Sequence, residues 1–370
     1  MTTHPADDSA AALAELAALL QPIEEDVNDP VRNYTDAQAR ATARSYALNT
    51  LHHGLQFWFD ADPQRPVFHR WFTQTKKLLG DNPDAVYYGT AIDPTGTYRI
   101  RGNVHGACYT SFTVEAGTQG ANMSTRLSST LNDTEFDVAP DGSYEILAGP
   151  GLSGRNRLGF DPESGSITTR HYFEWAECVI DHPSFAVPLT ITPVEDPGPP
   201  PIPDDAAIAA GIRRVATFVR TSTIDFLKGE RIRPPWVSET PNQFVDPPAE
   251  GGHVDIGYAA IDNVYRQAVF VLGPDEALEI RGRFPRCRFA NVMLFNRHMQ
   301  TLPQRQRRSS LNRRQTVLEP DGSFRVLVAA HDPGTPNWLD TAGAPYGIMF
   351  WRFLLTEEPI PPLETRVLSR

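Results

Sequence analysis

Long apolar runs are missing from this 370-residue sequence. None approaches the roughly 18 to 20 residues that a membrane-spanning helix needs. Cysteine is scarce: Cys108, Cys178 and Cys287 form no CxxC pair, which argues against a cysteine zinc site. No H-x-H or HExxH spacing occurs, so no metal is expected. A Walker A run and a GxSxG elbow are also absent, which removes the sequence grounds for ATP binding and for an α/β-hydrolase. The expectation is a protein that needs no cofactor. Positive charge is in deficit, with 34 Lys and Arg against 45 Asp and Glu and a net charge of −11. That balance argues against general nucleic-acid binding and against attraction to anionic membranes. The first residues lack a basic stretch followed by an apolar core, so no secretory leader is expected. Few cysteines and no leader point to a reduced, cytoplasmic protein.

What the chain does contain is a repeat of itself. Ile100-Arg101-Gly102 recurs as Ile280-Arg281-Gly282, and Leu131-Asn132 recurs as Leu311-Asn312. Pro140-Asp141-Gly142-Ser143-Tyr144 recurs as Pro320-Asp321-Gly322-Ser323-Phe324. All three landmarks stand 180 residues apart, far too long a period for a solenoid. A duplicated domain explains it, and the length fits two cores better than one. Two related domains create a pseudo-symmetric interface, a favoured place for a ligand.

The pattern changes along the chain. The residues up to about 84 read as a helical N-terminal segment. An Ala/Leu run over 11–20 ends at Pro22. A helix capped by Thr35 carries Tyr46, Leu51, Leu55 and Trp58, and a third opens at Pro66. From Ala85 the period becomes two, and short runs over 86–88, 97–101, 107–114, 134–138, 143–147, 167–175 and 187–191 read as strands. Asp141-Gly142 and Asp321-Gly322 are hairpin signals. This gives a first β-sandwich over 85–195 and a Pro-rich linker with a helix capped by Asp204 and Asp205 over 196–250. A second β-sandwich follows over 251–370. The expected fold is mainly β: two tandem antiparallel sandwiches of jelly-roll type, with a helical N-terminus and a helical linker.

At the strand entry, Gly80-Asp81-Asn82-Pro83-Asp84-Ala85-Val86-Tyr87-Tyr88, Tyr98-Arg99-Ile100-Arg101-Gly102 and Ser111-Phe112-Thr113-Val114 resemble the bacterial DUF1214 family. So does Pro336-Asn337-Trp338-Leu339-Asp340-Thr341, with Arg352 beyond it. The resemblance spans both β units and implies a sandwich architecture, often accompanied by a DUF1254 region. It implies no catalytic residues. In the first repeat Asn156-Arg157-Leu158 stands where Asn337-Trp338-Leu339 stands in the second, so a site built on that motif would belong to the second unit.

Two constellations carry candidate chemistry. Arg297, Arg305, Arg307, Arg308, Arg313 and Arg314 fall between Asn296 and Val317 with no acid among them. Arginine forks suit sulfate, phosphate or carboxylate; the bland alternative is a solvated loop or pairing with acids elsewhere in the chain. His331 and Asp340 can act as base and orienter, with Asn337, Trp338, Trp351 and Arg352 contacting a ligand. The alternative is that Trp338 anchors the core, Asn337 satisfies a turn and Arg352 pairs with Asp340. Together these suggest a cofactor-free lyase or hydrolase for a small apolar metabolite carrying an anionic group. Arg305, Arg307 and Arg308 would hold the anion, and the protein could be a homo-oligomer. A non-catalytic carbohydrate- or metabolite-binding module, or a scaffold docking an acidic partner, remains open beside it.

Overall fold

The computed structural model describes residues 7–226, 233–246, 257–303 and 306–369. Helices α1 (Asp8–Ala18), α2 (Leu20–Asn28), α3 (Ala37–Gly54) and α4 (Asp205–Arg220) form one layer, and α1 and α3 both pack on α4. Local chemistry sets their starts. Asp36 accepts from Ala39 N–H (2.7 Å) at the head of α3, and Asp204 accepts from Ala207 N–H (2.8 Å) at the head of α4. The cap of α3 is therefore Asp36 and not Thr35. Pro22 does not end the first helix either, because it sits in the first turn of α2, where its missing N–H is harmless.

The strands of the first unit are β1 (His69–Arg70), β2 (Ala85–Ala91), β3 (Tyr98–Asn103), β4 (Tyr109–Ala116), β5 (Arg126–Asn132), β6 (Ser143–Pro150), β7 (Arg157–Phe160), β8 (Ser164–Tyr172) and β9 (Leu189–Pro193). They form a sheet in the order β1-β2-β8-β4-β5 over another in the order β7-β6-β3-β9. Ile100, Phe112, Val114, Ile146 and Ile167 fill the space between. The second unit holds β10 (Asn263–Val271), β11 (Glu276–Gly282), β12 (Phe289–Phe295), β13 (Ser310–Asn312), β14 (Phe324–Ala329), β15 (Trp338–Asp340), β16 (Tyr346–Leu354) and β17 (Glu364–Ser369). Its sheets run β10-β16-β12-β13 and β15-β14-β11-β17, around Leu278, Ile280, Val292, Val326 and Trp351. Apart from the two-residue edge strand β1, this is the order of the first unit. Even the single parallel pair of each, β6 with β7 and β14 with β15, matches. The chain is mainly β, and the repeat seen in the sequence is a repeat of topology.

Half-buried strands alternate, whereas β2, β4, β8 and β12 are buried at every residue. Sheets of that kind are covered on both faces. The inner faces meet the sandwich cores. The outer faces of β2-β8-β4 and β10-β16-β12 turn toward each other, where Tyr109, Tyr172, Phe289 and Leu354 share one cluster with Tyr46, Trp58 and Trp71 from the N-terminal segment. Polar pairs lock this seam. Asp84 accepts from Asn291 Nδ2 (2.8 Å) and Asn312 Nδ2 (2.9 Å). Its counterpart Asp262 accepts from Tyr109 Oη and from Asn132 Nδ2 (3.2 Å).

Three further expectations are corrected. Residues 66–79 hold no helix: Trp71 and Leu78 plug the aromatic cluster, and Trp71 N–H bonds Tyr87 C=O (2.9 Å), which draws the segment out along β2. Residues 134–138 are not a strand, because Asn132 Oδ1 accepts from both Thr134 N–H (2.9 Å) and its hydroxyl (2.7 Å) and turns the chain there. Asp141-Gly142 forms a tight turn with Gly142 at φ 85°, but β5 and β6 lie in different sheets and are not a hairpin. Gly149-Pro150-Gly151-Leu152-Ser153-Gly154 has the GxGxxG spacing. It joins β6 to β7 with no helix after it, so it lacks the phosphate-cradling context of a dinucleotide site. No helix among the described residues is long and apolar enough to cross a membrane.

Candidate functional site

A cavity of about 990 Å³ opens where the two inner sheets diverge. Two arginines reach it from near the C-terminal ends of equivalent strands, Arg170 on β8 and Arg352 on β16, each about 95% buried. Each has a tyrosine as its cross-strand partner: Tyr87 opposite Arg170, and Tyr265 opposite Arg352. Neighbours on one sheet face touch, so each unit presents a Tyr–Arg pair. Trp71 borders Tyr87 through the backbone bond above. Trp236 packs on Tyr265 with ring centroids 5.1 Å apart. The remaining wall is largely apolar, with Phe72, Phe226 and Phe350 among the rings that line it.

The guanidinium groups are held from behind. Arg170 donates to Thr113 Oγ1 and to the carbonyls of Tyr258 (2.8 Å) and Ala259 (3.2 Å). Arg352 donates to Gly80 C=O and, at 3.5 Å, to Met293 Sδ. Neither makes an ion pair with a carboxylate among the described residues. The nearest acids, Glu115 on the Arg170 side and Asp81 on the Arg352 side, are fully buried. Burial pushes both carboxyls above their usual range although the guanidinium groups pull the other way. Close ion pairing would have pulled them down instead. Both tyrosines sense both arginines, so the four groups converge. Burial pushes the Tyr87 phenol well up and that of Tyr265 to about 12, so both are neutral donors at physiological pH. The face of the cavity built by these four groups is therefore rich in donors and cations.

Among the described residues expected from sequence, Arg352 alone lines this cavity. Its neighbour Trp351 points the opposite way and is fully buried in the second sandwich. Asp340 accepts from Arg307 Nη1 (2.9 Å) and from Ala342 N–H (2.7 Å) at the edge of β15. Arg308 donates to Pro336 C=O (2.6 Å). His331 stands exposed in the turn between β14 and β15. Trp338 Nε1 donates to Ala329 C=O (3.0 Å). Arg305 lies outside the described residues. Arg313 and Arg297 of that stretch have internal partners as well. Arg313 forms a two-toothed pair with Glu174 (2.7 Å each), and Arg297 lies over the Tyr34 ring (4.5 Å).

Asn337 shows what the Asn-Trp-Leu motif does. Its Oδ1 accepts from Val317 N–H (2.8 Å), and its Nδ2 donates to the carbonyls of Val317 (2.7 Å) and Arg325 (3.0 Å). Asn156 does a related job in the first unit, accepting from Asp137 N–H (2.7 Å). Asn337→Ala should therefore lower unfolding free energy by about 2 kcal/mol, by orphaning buried backbone groups. It should leave cavity binding untouched. Urea denaturation beside ligand titration checks both halves.

With this geometry in view, comparison with known proteins is informative. Residues 276–358 match the family model DUF1214, described as a protein of unknown function. That match spans β11 to β16 and includes Arg352. Likeness over the whole chain comes from a crystal structure of an uncharacterised Burkholderia cenocepacia protein, with TM-score 0.82 and 27% identity over 97% of this chain and 96% of that one. A Vibrio parahaemolyticus structure aligns with TM-score 0.47 and 10% identity over 87% of this chain and 98% of that one. No curated protein matches the chain. The DUF1214 match thus covers part of the second unit and brings no activity with it.

Proposed function

We propose that the cavity between the two units binds a small organic acid with an apolar body, its acid group held between Arg170 and Arg352. One observation carries this reading: two buried guanidinium groups, one from each unit, meet over an aromatic-lined cavity without a carboxylate partner among the described residues. Buried charges are normally paired. An arriving carboxylate, sulfate or phosphate would supply the missing countercharge, and arginine forks grip such groups with two teeth. The volume suits a ligand of metabolite size. The anionic, apolar ligand expected from the sequence is thus retained at a different place from the arginine loop.

Binding without conversion is the preferred reading, because the groups around the acid are donors and neutral phenols. The lyase or hydrolase reading needs a group that moves a proton, and Glu115 is the carboxyl that stands near. The free cysteines support the expected cytoplasmic setting.

Calorimetric titration with octanoate, decanoate and 2-naphthoate, each beside its neutral alcohol, tests the proposal. The acids should bind and the alcohols should not. Arg170→Met and Arg352→Met should each weaken acid binding roughly 10- to 100-fold, the range for a hydrogen bond to a charged group. Arg352 also caps Gly80, so Arg352→Lys serves as the control that keeps the charge. Alcohols that bind as well as acids, or acids that bind the Arg170→Met/Arg352→Met double variant unchanged, would remove the proposal. Mass analysis of the recovered ligand separates binding from turnover.

A further inference from the structure

The two halves of the cavity differ at one pair of corners. On the first unit, Glu115 of β4 and Thr168 of β8 stand on the same sheet face as Arg170, with Tyr258 packed over them. Glu115 Oε2 accepts from Ser124 Oγ (2.8 Å) and from Tyr258 N–H (2.9 Å). Three other atoms there lack a hydrogen bond of good geometry among the described residues: Glu115 Oε1, Thr168 Oγ1 and Tyr258 Oη, with the Thr168 hydroxyl beside the Glu115 carboxyl and the Ser124 backbone beside the Tyr258 phenol. Glu115 is fully buried and Thr168 is 5% exposed. Thr168 and Tyr258 line the cavity, and Tyr258 N–H holds the buried Glu115 carboxyl. Orphaned polar atoms of this kind lose free energy unless something fills the corner.

On the second unit the corresponding positions are apolar. Glu115 maps to Phe295, 180 residues on, and Thr168 maps to Phe350 by the spacing that relates Arg170 to Arg352. Phe295 and Phe350 pack at 5.6 Å, and Trp236 meets Phe350 at 5.7 Å. The cavity therefore has one wet corner and one greasy corner on either side of its paired arginines.

We propose that the ligand of the cavity is a hydroxylated organic acid. Its hydroxyl docks on Glu115, Thr168 and Tyr258, and its apolar body runs toward Phe295, Phe350 and Trp236. This rests on the anion-binding reading above. Thr168 and Arg170 are two residues apart on one strand face, which sets acid and hydroxyl roughly 7 Å apart at their anchoring side chains. A hydroxyl a few bonds from the acid spans that distance. A second anionic group is disfavoured, because Glu115 would face it.

The test is calorimetric titration of the full chain with decanoate and with racemic 3-hydroxydecanoate. The hydroxy acid should bind about tenfold more tightly, as expected for one satisfied buried hydrogen bond. In Thr168→Val that advantage should shrink to about twofold, with decanoate binding as before, which also reports that the variant is folded. Tyr258→Phe, which removes only Oη, should show a similar loss. Equal affinities in the wild-type protein would overturn the hydroxyl subsite while leaving the anion site standing. So would a preference that survives both variants. If neither acid binds, the anion reading falls and this proposal with it.

Discussion

Exchanging Trp351 for alanine should destabilise the protein by about 3 to 5 kcal/mol, the usual loss for a large aromatic removed from a packed core. The indole is fully buried. It stacks on Phe324 at 5.1 Å and on Phe353 at 5.8 Å, with Phe284 beyond at 6.2 Å. Nothing in its surroundings collapses easily, because these rings come from separate strands and loops. Neighbours along a strand face opposite ways, so Trp351 faces the second core while Arg352 faces the cavity. Below its lowered melting point, Trp351→Ala should still bind decanoate like the parent. Denaturant midpoints with titrations at low temperature measure the two quantities separately. A variant of normal stability that has lost binding would mean that the faces of β16 are the reverse of those described.

A second large effect follows from Asp84. This carboxyl is buried at the seam between the units, and burial pushes it up to about 6 although Asn291, Asn312 and Cys178 donate to it; Glu174 raises it further. In the unfolded chain it returns to 3.8. Between those values the folded protein holds a proton that the unfolded chain has released. Stability contributed by this group is therefore full below pH 3.8 and lost as pH rises through 6. About two pH units correspond to about 3 kcal/mol. Other groups titrate as well, so the comparison is with Asp84→Asn, which cannot ionise. The advantage of wild type over the variant should shrink by about 3 kcal/mol between pH 4 and pH 7. A difference that stays constant with pH would show that Asp84 does not titrate in this window.

The repeat, the mainly β architecture and the capped linker helix were legible because each depends on local signals: turn residues, period-two runs and a shared offset. The site was harder to read. Tyr87 and Tyr265 stand 178 residues apart, Arg170 and Arg352 stand 182 apart, and the landmarks stand 180 apart. Small length changes inside each unit hide these pairs from a search at one fixed spacing. A search that allowed a shift of two would have found them. The arginine loop drew notice because its charge is concentrated along the chain. Folding gives Arg297, Arg307, Arg308 and Arg313 to Glu174, Asp340 and backbone carbonyls that no local window contains. Trp71 and Leu78 have helical spacing, but the seam that receives them is made by distant strands, and that burial overrides local preference.

The matched strand orders have a consequence for concentration. Two separate units that paired to form such a chamber would lose it on dilution, and apparent ligand affinity would then depend on protein concentration. Here both walls belong to one polypeptide, so each half meets the other at an effective concentration set by the connecting chain. The chamber stays assembled at any dilution at which the chain is folded.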